Sequence, residues 1–163
     1  MCPAPSDFGA DSQPAPVVGI IHVASDTTMS ANPHLVIPPS AAGALNILAS
    51  ALANPSIARF VLCSSCAAAA SAARGVSATI TSSSWNDAAI AAAWSEDAEV
   101  TGAPGFAYTV YQASKATAER AVWEWVGERR PGFVVNAVLP YVMVCGVFSS
   151  VPVGGVEMDF LFC

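Results

Sequence analysis

Arg59-Phe60-Val61-Leu62-Cys63-Ser64-Ser65 is the stretch on which the fold turns. Phe60 to Cys63 run without polar alternation, the pattern of a strand covered on both faces in a parallel sheet. The run stops at two adjacent hydroxyls. Just ahead, Asn54-Pro55 ends a helix read from about Ser40 to Leu52, whose Ala41, Ala44, Leu45, Leu48 and Leu52 share one face. Further upstream, Val17 to Val23 reads as another buried strand, ending at Ala24-Ser25-Asp26 and followed by a loop through Asn32-Pro33 and Pro38-Pro39. Downstream come an alanine-rich stretch, Ala67 to Ala73, a short helix over about Ala88 to Trp94, and a Gly/Pro-bearing loop from Thr101 to Phe106. A long helix follows over about Val110 to Gly127. Ala118, Ala121, Val122, Trp125 and Val126 form its buried stripe, and Glu119, Arg120, Glu124 and Glu128 its wet side. Phe133 to Leu139, closed by Pro140, is the third buried strand. Strand, helix, strand, helix, strand predicts an α/β fold with a doubly wound parallel sheet.

Composition narrows the function classes. Hydrophobic residues make up 54% of the 163 and charged residues 11%, against roughly 25% in an ordinary soluble domain. That argues for a heavily buried domain or for part of something larger. The net charge is −6, and the six basic residues cluster only at Arg129-Arg130, so no positive stripe exists to displace counterions from nucleic acid. The first sixteen residues read as a flexible tail with no signal-peptide pattern. Gly132 to Phe148 is the best membrane candidate and is too short to span. Five cysteines without framework spacing suit a reducing compartment. The expectation is a cytoplasmic protein with no membrane or nucleic-acid partner and no metal.

The chemistry lies in Tyr111-Gln112-Ala113-Ser114-Lys115. Tyr and Lys four apart on a helix lie on one face. A cation beside a phenol favours its ionised form, and Lys115 supplies one. The second strand ends at Ser64-Ser65, at the carboxyl edge where open α/β sheets bind ligands. A Ser that polarises a carbonyl oxygen, a Tyr that gives it a proton and a Lys that supports the Tyr make a working reductase set. The hydride must come from a nicotinamide.

The ordered pieces Gly19 to Ser25, Asn46, Arg59 to Ser65, Ser84-Trp85-Asn86, Tyr111 to Lys115, Ala118-Glu119 and Asn136 to Pro140 resemble the extended short-chain dehydrogenase/reductases. Within them the chain is similar to fungal aldehyde/ketone reductases related to dihydroflavonol reductases, of the NAD-dependent epimerase/dehydratase type. The resemblance implies a Rossmann-type sheet lacking its N-terminal strands, with its C-terminal half over residues 17–148 and an unassigned tail over 149–163. It implies a small carbonyl substrate reduced to an alcohol, with Ser65, Tyr111 and Lys115 catalytic. It also implies that Ala24, Ser25, Tyr111, Lys115 and Pro140 border the cofactor, NADP(H) in preference to NAD(H).

The pattern breaks in two places. None of the eleven glycines forms the family's Gly-x-x-Gly-x-x-Gly turn, and Tyr141 stands where the family usually has Asn after the proline. The sequence is therefore expected to be a fragment that binds dinucleotide weakly or not at all. Two other readings stay open. Cys63-Ser64-Ser65-Cys66 could be a thiol redox pair at a helix start, with a zinc site using His22 or His34 a weaker variant. The chain could also be a non-catalytic remnant of the reductase fold.

Overall fold

The computed structural model describes residues 17–71, 77, 79–141 and the backbone of 151–153 and 156–158. The tail expected over 1–16 lies outside these residues, as do 142–150. Three parallel strands form one sheet in the order β1 (Gly19–His22), β2 (Arg59–Cys63), β3 (Val134–Val138). Ile20 pairs with Phe60, which pairs with Val135; Leu62 sits between His22 and Ala137. Helix α1 (Pro33–Leu52) crosses from β1 to β2. The return from β2 to β3 carries a 3₁₀ turn (Cys66–Ala68), α2 (Asp87–Ala93), α3 (Ala98–Thr101) and α4 (Phe106–Arg129). Val151–Val153 and Val156–Met158, in a stretch without pattern in the sequence, pair antiparallel as β4 and β5.

α1 starts seven residues earlier than expected, taking in the segment read as a proline loop. Asn32 accepts the His34 N–H at 3.1 Å, and Pro33 occupies the first helical position, where no N–H is needed. Pro38 and Pro39 leave the His34 and Leu35 carbonyls without their helical donors. All four residues are exposed, so water can serve those carbonyls. The helix is long and apolar enough to cross a membrane by length and composition alone. Here it packs as a core helix through Val36, Ile37, Ala44, Leu48 and Ala51.

α4 also starts early, from Gly105 at φ 88°, and ends at Arg130 at φ 45° just before Pro131. The added turn carries Phe106, which joins Val36, Ile37, Ala93, Val110 and Ala113 in one cluster. A second cluster joins α1, α4 and one face of the sheet through Leu48, Phe60, Leu62, Val122 and Phe133.

The other sheet face differs from expectation. β1 and β3 alternate exposed and half-buried residues instead of being buried throughout. Ile21 is 71% exposed and Val134 51%, with Val23 and Val138 also open. The cause is topological. Strands added in one direction by crossovers of the same hand put both helices on the same side. α1 and α4 lie there together, against Phe60 and Leu62. On the open face the Arg59 guanidinium donates to Asn136 Oδ1 at 2.9 Å.

Candidate active site

The carboxyl ends of the three strands meet the N-terminal half of α4. A cavity of about 280 Å³ opens there, bordered by Ser25, Ser65, Tyr111, Lys115, Pro140 and Tyr141. Ser25 follows β1, Ser65 follows β2, Pro140 follows β3, and Tyr111 and Lys115 come from one turn of α4. Five of the six site residues expected from sequence thus share one cavity. Ala24 lies beside it, lining a second opening of about 290 Å³ with His22, Ser25, Asp26, Ser40 and Gly43.

The two adjacent serines have different tasks. The Ser64 hydroxyl donates to Glu119 Oε2 at 2.5 Å, so its proton is committed. Ser65 is buried; its Oγ accepts the Ala67 N–H at 3.2 Å and caps the 3₁₀ turn. That leaves the Ser65 proton free to donate. The tip is tied down by backbone bonds as well: Ser64 N–H reaches Val138 O at 2.9 Å, and Cys66 N–H reaches Pro140 O at 3.1 Å.

On α4, the Ser114 hydroxyl bonds back to Tyr111 O at 2.7 Å. Lys115 Nζ lies 5.8 Å from the Tyr111 ring centroid and 3.5 Å from Cys63 O. Burial pulls the Lys115 pKa below the ordinary lysine value, against a smaller opposing effect of the Cys63 charge. His22 is also lowered, by burial first and then by Lys115. The Tyr108 ring stacks on Tyr111 at 5.9 Å and 19°. Burial raises the Tyr108 phenol, helped by Cys66, Tyr111 and Tyr141.

Behind the tip, Asn86 Nδ2 donates to Ala67 O at 2.9 Å and to Ser71 Oγ at 3.0 Å, while its Oδ1 caps α2 at Ala89. The sequence reading missed Glu119, assigned to the wet side of α4 but only 7% exposed. Its signal was its spacing: Tyr111, Lys115 and Glu119 follow at intervals of four, a single stripe. Gln112, also buried, was missed too.

Cys63 and Cys66 are free thiols, and Cys66 opens a three-residue 3₁₀ turn instead of the helix that a redox pair would use. Among the described residues, no three His, Cys, Asp or Glu side chains are grouped to hold a metal.

An NAD-binding family model described as male sterility protein matches residues 15–158. The chain is 36% identical over 141 residues to an NAD-dependent epimerase/dehydratase of Aspergillus terreus, covering 85% of this chain and 40% of that one. It is 36% identical over 132 residues to aldehyde reductase 2 of Sporidiobolus salmonicolor, covering 80% and 38%. A yeast methylglyoxal/isovaleraldehyde reductase complexed with NADPH superposes with a TM-score of 0.59 at 27% identity, over 77% of this chain and 36% of that one. The chain thus spans about two fifths of the length of the curated relatives it matches.

Proposed function

The chain belongs to this NAD-binding family, among the extended short-chain dehydrogenase/reductases, and from that premise we propose that it carries the proton-transfer half of an NADPH-dependent aldehyde or ketone reductase. The observation that carries the reading is the shared cavity: Ser65 from β2 with Tyr111 and Lys115 from α4, at the carboxyl edge of a parallel sheet. The reductase names of the relatives support the same reading.

In this reading a carbonyl oxygen sits between the Ser65 hydroxyl and Tyr111 Oη. Ser65 donates a hydrogen bond that strengthens as negative charge grows on that oxygen. Tyr111 gives its proton to the same oxygen, completing the alcohol, and takes one back from solvent. The Lys115 ammonium stabilises the phenolate left in between. Pro140 would border a nicotinamide, which when bound in its reduced form would supply the hydride.

The residues present fit the nicotinamide-ribose end of the cofactor, through Ser25, Lys115 and Pro140. The phosphate end is poorly served. The sequence has no glycine-rich turn, and Asp26 borders the neighbouring opening. Bonds from the Thr28 hydroxyl and N–H hold the Asp26 carboxyl below the usual carboxylate range, which favours its negative form at that rim. On this reading the chain alone binds dinucleotide weakly or not at all; the proposed substrates are small carbonyl compounds, in keeping with the reductase relatives, and the proposed compartment is the cytoplasm.

The test is NADPH oxidation with an aldehyde and ketone panel at millimolar NADPH, with Tyr111→Phe as control. Turnover that Tyr111→Phe lowers by about 10²-fold or more supports the reading. A folded but inert wild-type chain would assign it to a non-catalytic remnant. A micromolar NADPH dissociation constant would refute the weak-binding part.

A further inference from the structure

Glu119 is a carboxylate with almost no solvent, on a helix face otherwise built for the site. Burying such a charge is costly unless hydrogen bonds compensate. Here two do: Ser64 Oγ–H donates to Oε2 at 2.5 Å, and Trp123 Nε1–H to Oε1 at 3.3 Å. The first crosses between two elements. It joins α4, which carries Tyr111 and Lys115, to the residue just before Ser65. One turn earlier on the same helix, Lys115 Nζ reaches Cys63 O, the residue before Ser64. α4 therefore grips the tip of β2 at two consecutive residues. Between the two grips lies a cavity of about 20 Å³, bordered by His22, Ser64, Lys115 and Glu119. By volume it is large enough for a single water and little more.

The 3₁₀ turn behind the tip is bonded by Asn86 at the Ala67 and Ala68 carbonyls, and the Glu119 bond adds a direct side-chain tie between the tip itself and α4. The tip's backbone bonds run to β3, in the plane of the sheet, and leave its position toward α4 to side chains. Ser65 and Tyr111 come from different elements, and a misplacement of about 1 Å between reacting groups can cost about 10²-fold in rate.

We infer that Glu119 is a positioning residue: its carboxylate pins the Ser64 hydroxyl and so sets Ser65 at working distance from Tyr111 and Lys115. The inference rests on the reductase reading for its kinetic consequence alone. The pin itself can be observed without turnover.

Lys115 is the only lysine in the chain, so ¹⁵N-lysine labelling gives one side-chain ammonium signal that reports on the tip. Ser64→Ala breaks the pin without changing any charge near Lys115. The Lys115 signal should shift, and its titration should move up toward the ordinary value of about 10.4 as water reaches the loosened tip. Glu119→Ala should shift the signal likewise. Combining the two should add little, because both remove the same bond. Glu119→Gln keeps groups that can bond Ser64 and Trp123 and should stay near the wild-type signal. If the wild-type chain reduces carbonyls, Ser64→Ala should lower kcat about tenfold or more with little change in KM, and Glu119→Gln should retain most of the rate.

Lys115 signals of Ser64→Ala and Glu119→Ala that superimpose on wild type overturn the inference, even if the enzyme is active. An inert wild type with shifted signals leaves the pin standing and removes only the reductase reading. Failure of both alanine variants to fold also overturns it, since the pair would then serve global stability.

Discussion

Asn86→Asp separates two accounts of how the loop behind the strand tip is held. As helix N-caps, Asn and Asp are equivalent, so an account limited to the cap of α2 expects no change. The structure gives Asn86 a second arm. Nδ2 donates to the Ala67 carbonyl and to Ser71 Oγ, and both Asn86 and Ala67 are buried. A carboxylate keeps the cap but loses the donor, leaving the Ala67 carbonyl facing a negative charge. An unsatisfied buried acceptor costs about 1–3 kcal/mol, and more beside a charge. We expect a loss of about 2–3 kcal/mol at pH 7, from that range. In a chain of this size that is a fall in Tm of about 4–12 °C. Urea unfolding followed by tryptophan fluorescence measures it, with Trp85 adjacent to the change. The pH dependence is a second check. Burial with one oxygen against the Ala67 carbonyl raises the folded-state pKa of the new carboxyl above its unfolded value of about 3.9, outweighing the opposite pull of the cap bond from Ala89 N–H. The folded state then binds more protons than the unfolded one between the two values, and stability falls as pH rises through that window. The deficit relative to wild type should therefore shrink on lowering pH from 7 toward 5. Stability within about 0.5 kcal/mol of wild type at pH 7 would refute the reasoning.

Three further outcomes follow from the same geometry. Lys115 has a lowered folded-state pKa, so between that value and about 10.4 the unfolded chain binds more protons and stability rises with pH; Lys115→Met should flatten this slope in urea midpoints taken from pH 7 to 10. His22 is lowered too, so wild type should lose stability as pH falls from about 6.5 through the folded-state value; a His22→Gln melt with the same acid slope as wild type would show that His22 is not responsible. Ile21→Lys on the open sheet face should leave stability within about 0.5 kcal/mol of wild type while reducing self-association in light scattering. Unchanged scattering would mean that this face does not drive association.

The fold was legible where the physics is local. The run from Phe60 to Cys63 announces a strand whatever lies around it, and Pro140 closes the third strand by its own covalent geometry. The start of α1 was not legible. Pro38-Pro39 reads as a break, and the helix passes through only because the exposed side of the turn lets water replace the missing donors. The coverage of the sheet was misjudged for a related reason. A largely apolar run such as Val17 to Val23 does not record which side a helix will cover. That depends on crossover direction, which involves all three strands.

The site divides in the same way. Tyr111 and Lys115 were readable because a helix fixes what lies four residues apart. Ser65 could be named because a strand end is visible in sequence. Which of the two serines is free to donate was not readable, nor was the burial of Glu119, a charged residue that chain statistics assign to water. Ser64 and Glu119 are 55 residues apart in the chain, and only the packing of α4 on the tip of β2 brings them together. The sequence by itself settled which chemical groups the protein has and their local spacing. The tertiary structure decided which of them lose water and to whom each proton is committed, because desolvation and hydrogen-bond partnership depend on neighbours that the local chain does not supply.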